Sequence, residues 1–162
     1  MRPRRSPVLR VLEFALEQEA KACEFYAALA RQVKDRPLKN KLESLSEFER
    51  GHERAVAGLY KDAGGAEPPI PAVKKRATDR ALRKKASVSD VLGLAIEAER
   101  LAQAFYVRAA RKCQTEAQRA VLERLAEEEK QHEELLASER NLLEERSLWF
   151  TRDEVPWMLE TE

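Results

Sequence analysis

Apolar residues recur at intervals of three and four in four separate stretches of the chain, the spacing of helices that bury one face. The first face runs through Val8, Leu12, Ala15, Leu16, Ala22, Cys23, Tyr26, Leu29, Ala30 and Val33, and the second through Leu42, Leu45, Val56 and Leu59. The third carries Val91, Leu92, Ala95, Ile96, Ala102, Tyr106 and Ala109, and the fourth Leu122, Leu125 and Leu136. Ionisable residues interrupt all four faces at positions that should be apolar: Glu19, then Glu49 and His52, then Glu99, then Glu129 and His132. Helices are predicted over about 8–33, 36–61, 89–113 and 116–145.

The breaks between faces define the connections. Asp35 is placed to cap the second helix, with Pro37 in its first turn where a missing N–H costs little. Thr115 with Gln118 three residues later has capping-box spacing at the start of the fourth. Both connections are short, so each predicts a helical hairpin. The stretch between the hairpins, "AGGAEPPIPAVKKRATDRALRKKAS", clusters Gly and Pro and then Lys and Arg. It predicts a crossover over 62–88, long enough to run the length of a ~39 Å helix. An antiparallel four-helix bundle over residues 1–145 follows, with the crossover returning the chain to the opposite end. The final stretch, 146–162, holds two Trp, a Phe and a Pro and is expected to be a short aromatic tail.

An internal repeat organises these elements. Adding 80 to a residue number carries Glu19 to Glu99, Tyr26 to Tyr106, Glu49 to Glu129, His52 to His132 and the cap Asp35 to the cap Thr115. The chain has two histidines, and the match uses both. If the hairpins turn near residues 34 and 114, the paired glutamates lie at equal distances along their two arms, ~22 Å from the turn. Glu49 and His52, three apart, share a helix face, as do Glu129 and His132. The repeat thus predicts four glutamates and two histidines gathered at mid-bundle.

Composition narrows the function. A formal net charge of +1 provides no global field for nucleic acid or for a membrane surface, so neither is expected as a partner. The basic run "KKRATDRALRKK" reads as a solvated face. No stretch has the apolar length of a bilayer span, and acidic residues interrupt the basic N-terminal segment before a secretory core could form. The two cysteines, Cys23 and Cys113, form no C-x-x-C pair, which suits a reducing compartment, and a cytoplasmic location is expected. Cys23 reads as a small core residue and Tyr60 as packing. Glu17, Glu47, Glu97 and Glu127 also repeat but lie about 200° around the helix from the inward glutamates, so they are expected in solvent.

Four carboxylates buried together would repel one another after losing their hydration, and two divalent cations would neutralise them. Bridging carboxylates with one imidazole per metal favour iron or manganese over structural zinc. A Glu from each of two helices plus Glu-x-x-His from each of the other two is the pattern of ferritin-like carboxylate bundles.

"EQEAKACEFY" with "EFERGH", and "EAERLAQAFY" with "EEEKQH", resemble the two half-motifs of the rubrerythrin-like branch of the ferritin-like superfamily, over roughly residues 8–145. The resemblance implies a di-iron site in which Glu19 and Glu99 are terminal ligands, Glu49 and Glu129 bridge the metals, and His52 and His132 each cap one. It implies that Tyr26 and Tyr106 lie near the cluster and hydrogen-bond a ligating carboxylate. It further implies an oxidoreductase reacting with peroxide or dioxygen, or alternatively an iron-binding, storage or delivery protein. A bundle that binds metal only for stability is the third reading. Full rubrerythrins add a rubredoxin-like module with two C-x-x-C pairs. These residues contain none, so electrons are expected from an external donor, rubredoxin-like or a flavoprotein. Rubrerythrins also carry an extra glutamate near the equivalent of Glu99, where this sequence has Ala102 and Gln103. A homodimer is expected, with the long crossover permitting exchange of hairpins.

Overall fold

The computed structural model describes residues 6–73 and 87–153, and every regular element among the described residues is an α-helix. These are α1 (Pro7–Gln32), α2 (Arg36–Asp62), α3 (Val88–Ala110) and α4 (Glu116–Asp153). The chain divides into two compact units. One is built on α1 and α2 and takes in the start of α4 at Gln114–Val121; the other is built on α3 and the rest of α4.

Side-chain caps set the helix starts. Asp35 Oδ1 accepts the N–H of Leu38 at 2.9 Å, with Pro37 in the first turn of α2. Thr115 Oγ1 accepts the N–H of Gln118 at 3.2 Å. Ser87 Oγ accepts the N–H of Asp90 at 3.1 Å, which starts α3 one residue before the expected position. Each such cap satisfies a backbone donor that the helix itself leaves open.

At the far end of α2 the N–H of Gly64 reaches the carbonyl of Lys61 and that of Gly65 reaches Tyr60, both at 3.0 Å. This is a Schellman closure, and Gly64 takes the left-handed φ of 88° that it requires. A Cβ on Gly65 would collide with the Tyr60 ring.

Two helix ends differ from expectation. α3 stops at Ala110 rather than 113, because the N–H groups of Lys112 and Cys113 bond three residues back, to Ala109 and Ala110, and tighten the chain into a turn. α4 continues to Asp153 rather than stopping near 145. No Gly or Pro occurs between Glu116 and Pro156, so nothing in the sequence breaks the helix earlier. The first part of the expected tail is therefore helical. The rest, from 154 onward, lies outside the described residues, as does most of the crossover, 74–86.

In the first hairpin, Cys23 meets Ser46, Glu19 meets His52 and Glu13 meets Tyr60. Contacts moving up one helix as they move down the other make α1 and α2 antiparallel. In the second, Arg100 meets Glu133 while Ser89 meets Arg140 and Glu144, so α3 and the later part of α4 are antiparallel too. Burial follows the 80-residue repeat: Leu12 and Leu92, Leu16 and Ile96, Leu42 and Leu122, Leu45 and Leu125, and Val56 and Leu136 are all buried. Each buried leucine contributes roughly 2–3 kcal/mol, which outweighs the desolvation of the few polar groups sharing the face only if those groups are satisfied.

Candidate functional site

All six inward ionisable residues are buried, and each hairpin collects three of them. In the first, α1 supplies Glu19 and α2 supplies Glu49 and His52. His52 Nδ1 lies 3.2 Å from Glu49 Oε2 and 3.5 Å from Glu19 Oε2. In the second, α3 supplies Glu99 and α4 supplies Glu129 and His132, with His132 Nδ1 3.3 Å from Glu129 Oε2 and 4.0 Å from Glu99 Oε1. Within each triad one donor atom per residue lies within 4.8 Å of the others. Glu49 and Glu129 are both only 1% exposed, so water does not hydrate their charge.

The donor set of each triad fits a divalent cation. Two carboxylates with a neutral imidazole carry a charge of about −2, equal and opposite to one such ion, and buried carboxylates this close otherwise repel. Oxygen and nitrogen donors without sulfur suit iron or manganese.

The surroundings repeat as well. Tyr26 and Tyr106 are buried, and each meets the preceding phenylalanine edge-on: Phe25 with Tyr26 at 5.3 Å and 73°, Phe105 with Tyr106 at 5.2 Å and 72°. Glu17, Glu47, Glu97 and Glu127, set apart from the triads by their helix angle, are exposed as expected. Tyr60 is buried, and beyond packing it donates a hydrogen bond to Glu13 Oε1 at 3.1 Å.

Other polar residues were not singled out by sequence. Ser46 is buried in the first hairpin and donates to the carbonyl of Cys23 at 2.9 Å, with its hydroxyl 3.4 Å from Cys23 Sγ. Arg50 reaches the same sulfur at 3.7 Å and pairs with Glu47 at 3.0 Å. Its guanidinium is held above its ordinary pKa first by the contact with Cys23 and then by Glu47. Glu24 is buried and paired with Arg31 at 2.9 Å. Ser46 and Glu24 both occupy inward positions of their helices, and that periodicity was the available signal. In the second hairpin Arg100 pairs with Glu133 at 2.6 Å, which holds the Arg100 guanidinium above its ordinary pKa. Among the described residues no helix is long and apolar enough to cross a membrane.

Comparison with known proteins covers both hairpins. The family model described as Rubrerythrin matches residues 10–140. A protein of Pyrococcus furiosus, described as hypothetical, is 27% identical, with a TM-score of 0.69 over 84% of this chain and 89% of its own. A Xanthomonas campestris protein is 21% identical, with a TM-score of 0.74 over 91% and 97%. The dodecameric thioferritin of Bacteroides fragilis, described as bacterioferritin-related, is 19% identical, with a TM-score of 0.69 over 88% and 89%. The fold class is thus that of the ferritin-like helical proteins. Comparison with curated protein sequences yields no match.

Proposed function

We propose, since this chain belongs to the rubrerythrin family, that its two triads together hold a pair of iron ions and that the protein is a non-haem di-iron oxidoreductase acting on peroxide or dioxygen. The observation that carries this is the doubled triad: two glutamates and a histidine, buried and drawn from two helices, in each hairpin at the same register. Glu19 and Glu99 are assigned as terminal ligands, Glu49 and Glu129 as bridges, and His52 and His132 as caps offering Nδ1. Bound iron supplies Lewis acidity and electrons for reducing the oxidant. Manganese suits the same donors.

The chain's own residues do the rest. The two histidines bind as neutral imidazoles, so protons compete with metal and acid unloads the site. Tyr26 and Tyr106 orient the glutamates from buried positions. Leu42, Leu45, Leu122 and Leu125, one to two turns from the bridging candidates, exclude water. Electrons come from an external donor, rubredoxin-like or a flavoprotein. Assembly is as a homo-oligomer, with the dimer as its smallest form.

Iron storage or delivery is the second reading. It is favoured by Ala102 and Gln103, which follow Glu99 by one turn where a rubrerythrin carries a further glutamate. Anaerobic titration of the apoprotein with Fe(II), then stopped-flow mixing with peroxide or with dioxygen, separates the two. About two irons per chain with rapid peroxide-dependent oxidation supports the oxidoreductase. Many more irons per assembly supports storage. Absence of iron binding would sink both.

A further inference from the structure

Hairpin 1 (α1 and α2) contains a buried cross-link that the repeat does not copy. Ser46 donates its hydroxyl proton to the carbonyl oxygen of Cys23 at 2.9 Å, joining α2 to α1. Cys23 follows Glu19 by one turn, and Ser46 precedes Glu49 by three residues. Both ends of the bond therefore lie a single turn from a proposed ligand. In hairpin 2 (α3 and α4) the same positions hold Gln103 and Ala126, and an alanine side chain cannot hydrogen-bond. Near its triad hairpin 2 has the Arg100–Glu133 pair, on residues adjacent to Glu99 and His132, with Arg100 57% and Glu133 19% exposed.

We infer that Ser46 is a positioning residue for the Glu19, Glu49 and His52 triad, and that hairpin 1 consequently binds the first metal ion more tightly than hairpin 2. The inference rests on the metal reading above. Without metal, the two carboxylates of a triad repel, and the easiest relief is to draw the helices apart at that level. A buried hydrogen bond one turn away resists this, and water does not compete for it. An ion pair whose arginine lies open to solvent resists it less and is screened by salt. The spacings agree: His52 Nδ1 lies 3.5 Å from the glutamate of the opposite helix, and His132 Nδ1 lies 4.0 Å from its counterpart. A triad already closed loses less ordering entropy when it binds.

The test is anaerobic titration of the full-length apoprotein with Co(II), followed by calorimetry and visible absorption, at low and at high salt. Two equivalents are expected, separated by about fivefold in affinity, the value of one net hydrogen bond. The gap should widen at high salt as the Arg100–Glu133 pair is screened. His52→Ala should remove the tighter equivalent and His132→Ala the looser. Ser46→Ala should weaken the tighter equivalent about fivefold and leave the looser unchanged, with circular dichroism confirming the fold, and Ser46→Thr should restore it. Wild-type equivalents of equal affinity would overturn the inference, as would Ser46→Ala weakening both alike. A tighter equivalent that survives His52→Ala would do the same. If Ser46→Ala does not fold, a wild-type gap that narrows with salt overturns it. Two equal equivalents leave the metal reading standing, whereas no cobalt binding overturns both.

Discussion

Hairpin 1 is joined near its triad by a buried serine hydroxyl and hairpin 2 by an arginine–glutamate pair whose arginine is exposed, although Glu19, Glu49, His52 and Tyr26 recur as Glu99, Glu129, His132 and Tyr106. Another pair of contacting residues is replaced together. Tyr60 hydrogen-bonds Glu13 in the first; in the second the equivalent positions are Arg140 and Gly93, and Arg140 turns to Ser89 and Glu144. Glu24, which pairs with Arg31, gives way to Ala104, while the position of Arg31 keeps its arginine as Arg111. The difference teaches that the two hairpins keep the same inward glutamates and histidine while each finds its own way of keeping two helices together. Symmetry is retained at the two carboxylates and the imidazole and is broken at Cys23 and Ser46, one turn away, where Gln103 and Ala126 stand in the second hairpin.

The largest effect should come from attacking what the hairpins share. Combining Glu49→Gln with Glu129→Gln is expected to reduce iron binding from two equivalents to none. With metal at a thousandfold over its dissociation constant, each occupied site stabilises by about 4 kcal/mol. At roughly 2–4 °C per kcal/mol, even one site raises the melting temperature by about 8–16 °C, and the double variant should lose the whole upshift. Without metal the same variant should melt above wild type, because each triad sheds one of two adjacent buried charges. Calorimetry with and without iron checks both signs. A metal-free variant that melts lower would mean that the glutamates stabilise the fold by some other contact.

Leu45 and Leu125 come next, as matched core positions that are both 1% exposed. Leu45→Ala and Leu125→Ala should each cost about 2–5 kcal/mol and should differ from each other by less than about 1 kcal/mol. Urea unfolding measures both. A much smaller cost at one of them would show that its hairpin collapses around the cavity more easily, and the comparison would then extend from the site to the core.

Such matched positions were readable in the sequence because helix periodicity and the offset of 80 both act through the backbone. Every inward residue is fixed by its angle around the helix, so the four faces, the six ionisable residues and the outward Glu17, Glu47, Glu97 and Glu127 could be sorted by counting. The caps Asp35 and Thr115 were readable for a similar reason, since they act over three residues. The end of α4 was not. The aromatic residues Trp149 and Phe150 looked like a change of structure, but composition does not break a helix without Gly or Pro, and it runs on to Asp153. Nor was Ser46. A serine on an inward face is ambiguous until the opposite backbone is seen, and the residue it bonds, Cys23, contributes its carbonyl rather than its side chain.

The caps give a finer comparison of the same kind. Asp35 caps α2 through a carboxylate that also suits the positive end of a helix dipole, whereas Thr115 caps α4 through a neutral hydroxyl at a longer distance. Asp35→Ala should cost about 1 kcal/mol and Thr115→Ala somewhat less, as read by thermal unfolding. Only the Asp35 contribution should fall as salt is added, because salt screens a charge and not a neutral hydroxyl. Equal losses at low salt, with no salt dependence of the difference, would remove the charge from the account.

The smallest effect concerns glycines inside helices, compared at Gly51 in the first hairpin and Gly93 in the second. A Cβ on Gly51 would meet no atom within 4 Å, and one on Gly93 would lie 3.1 Å from Nη1 of Arg140. Alanine gains up to about 1 kcal/mol over glycine in a helix interior, so Gly51→Ala should stabilise hairpin 1 by close to that amount. Gly93→Ala should gain less, about 0.5 kcal/mol at most, because the guanidinium must shift by a few tenths of an ångström. Arg140 is long and its outer end adapts, so the shift should weaken its contacts with Ser89 and Glu144 without expelling it. Chemical denaturation of the two variants, metal-free to keep the triads out of the measurement, gives both values. If Gly93→Ala instead destabilises by more than about 1 kcal/mol, Gly93 is needed for the close approach of Arg140, and the exchange of Glu13 and Tyr60 for Gly93 and Arg140 is a fitted pair rather than drift.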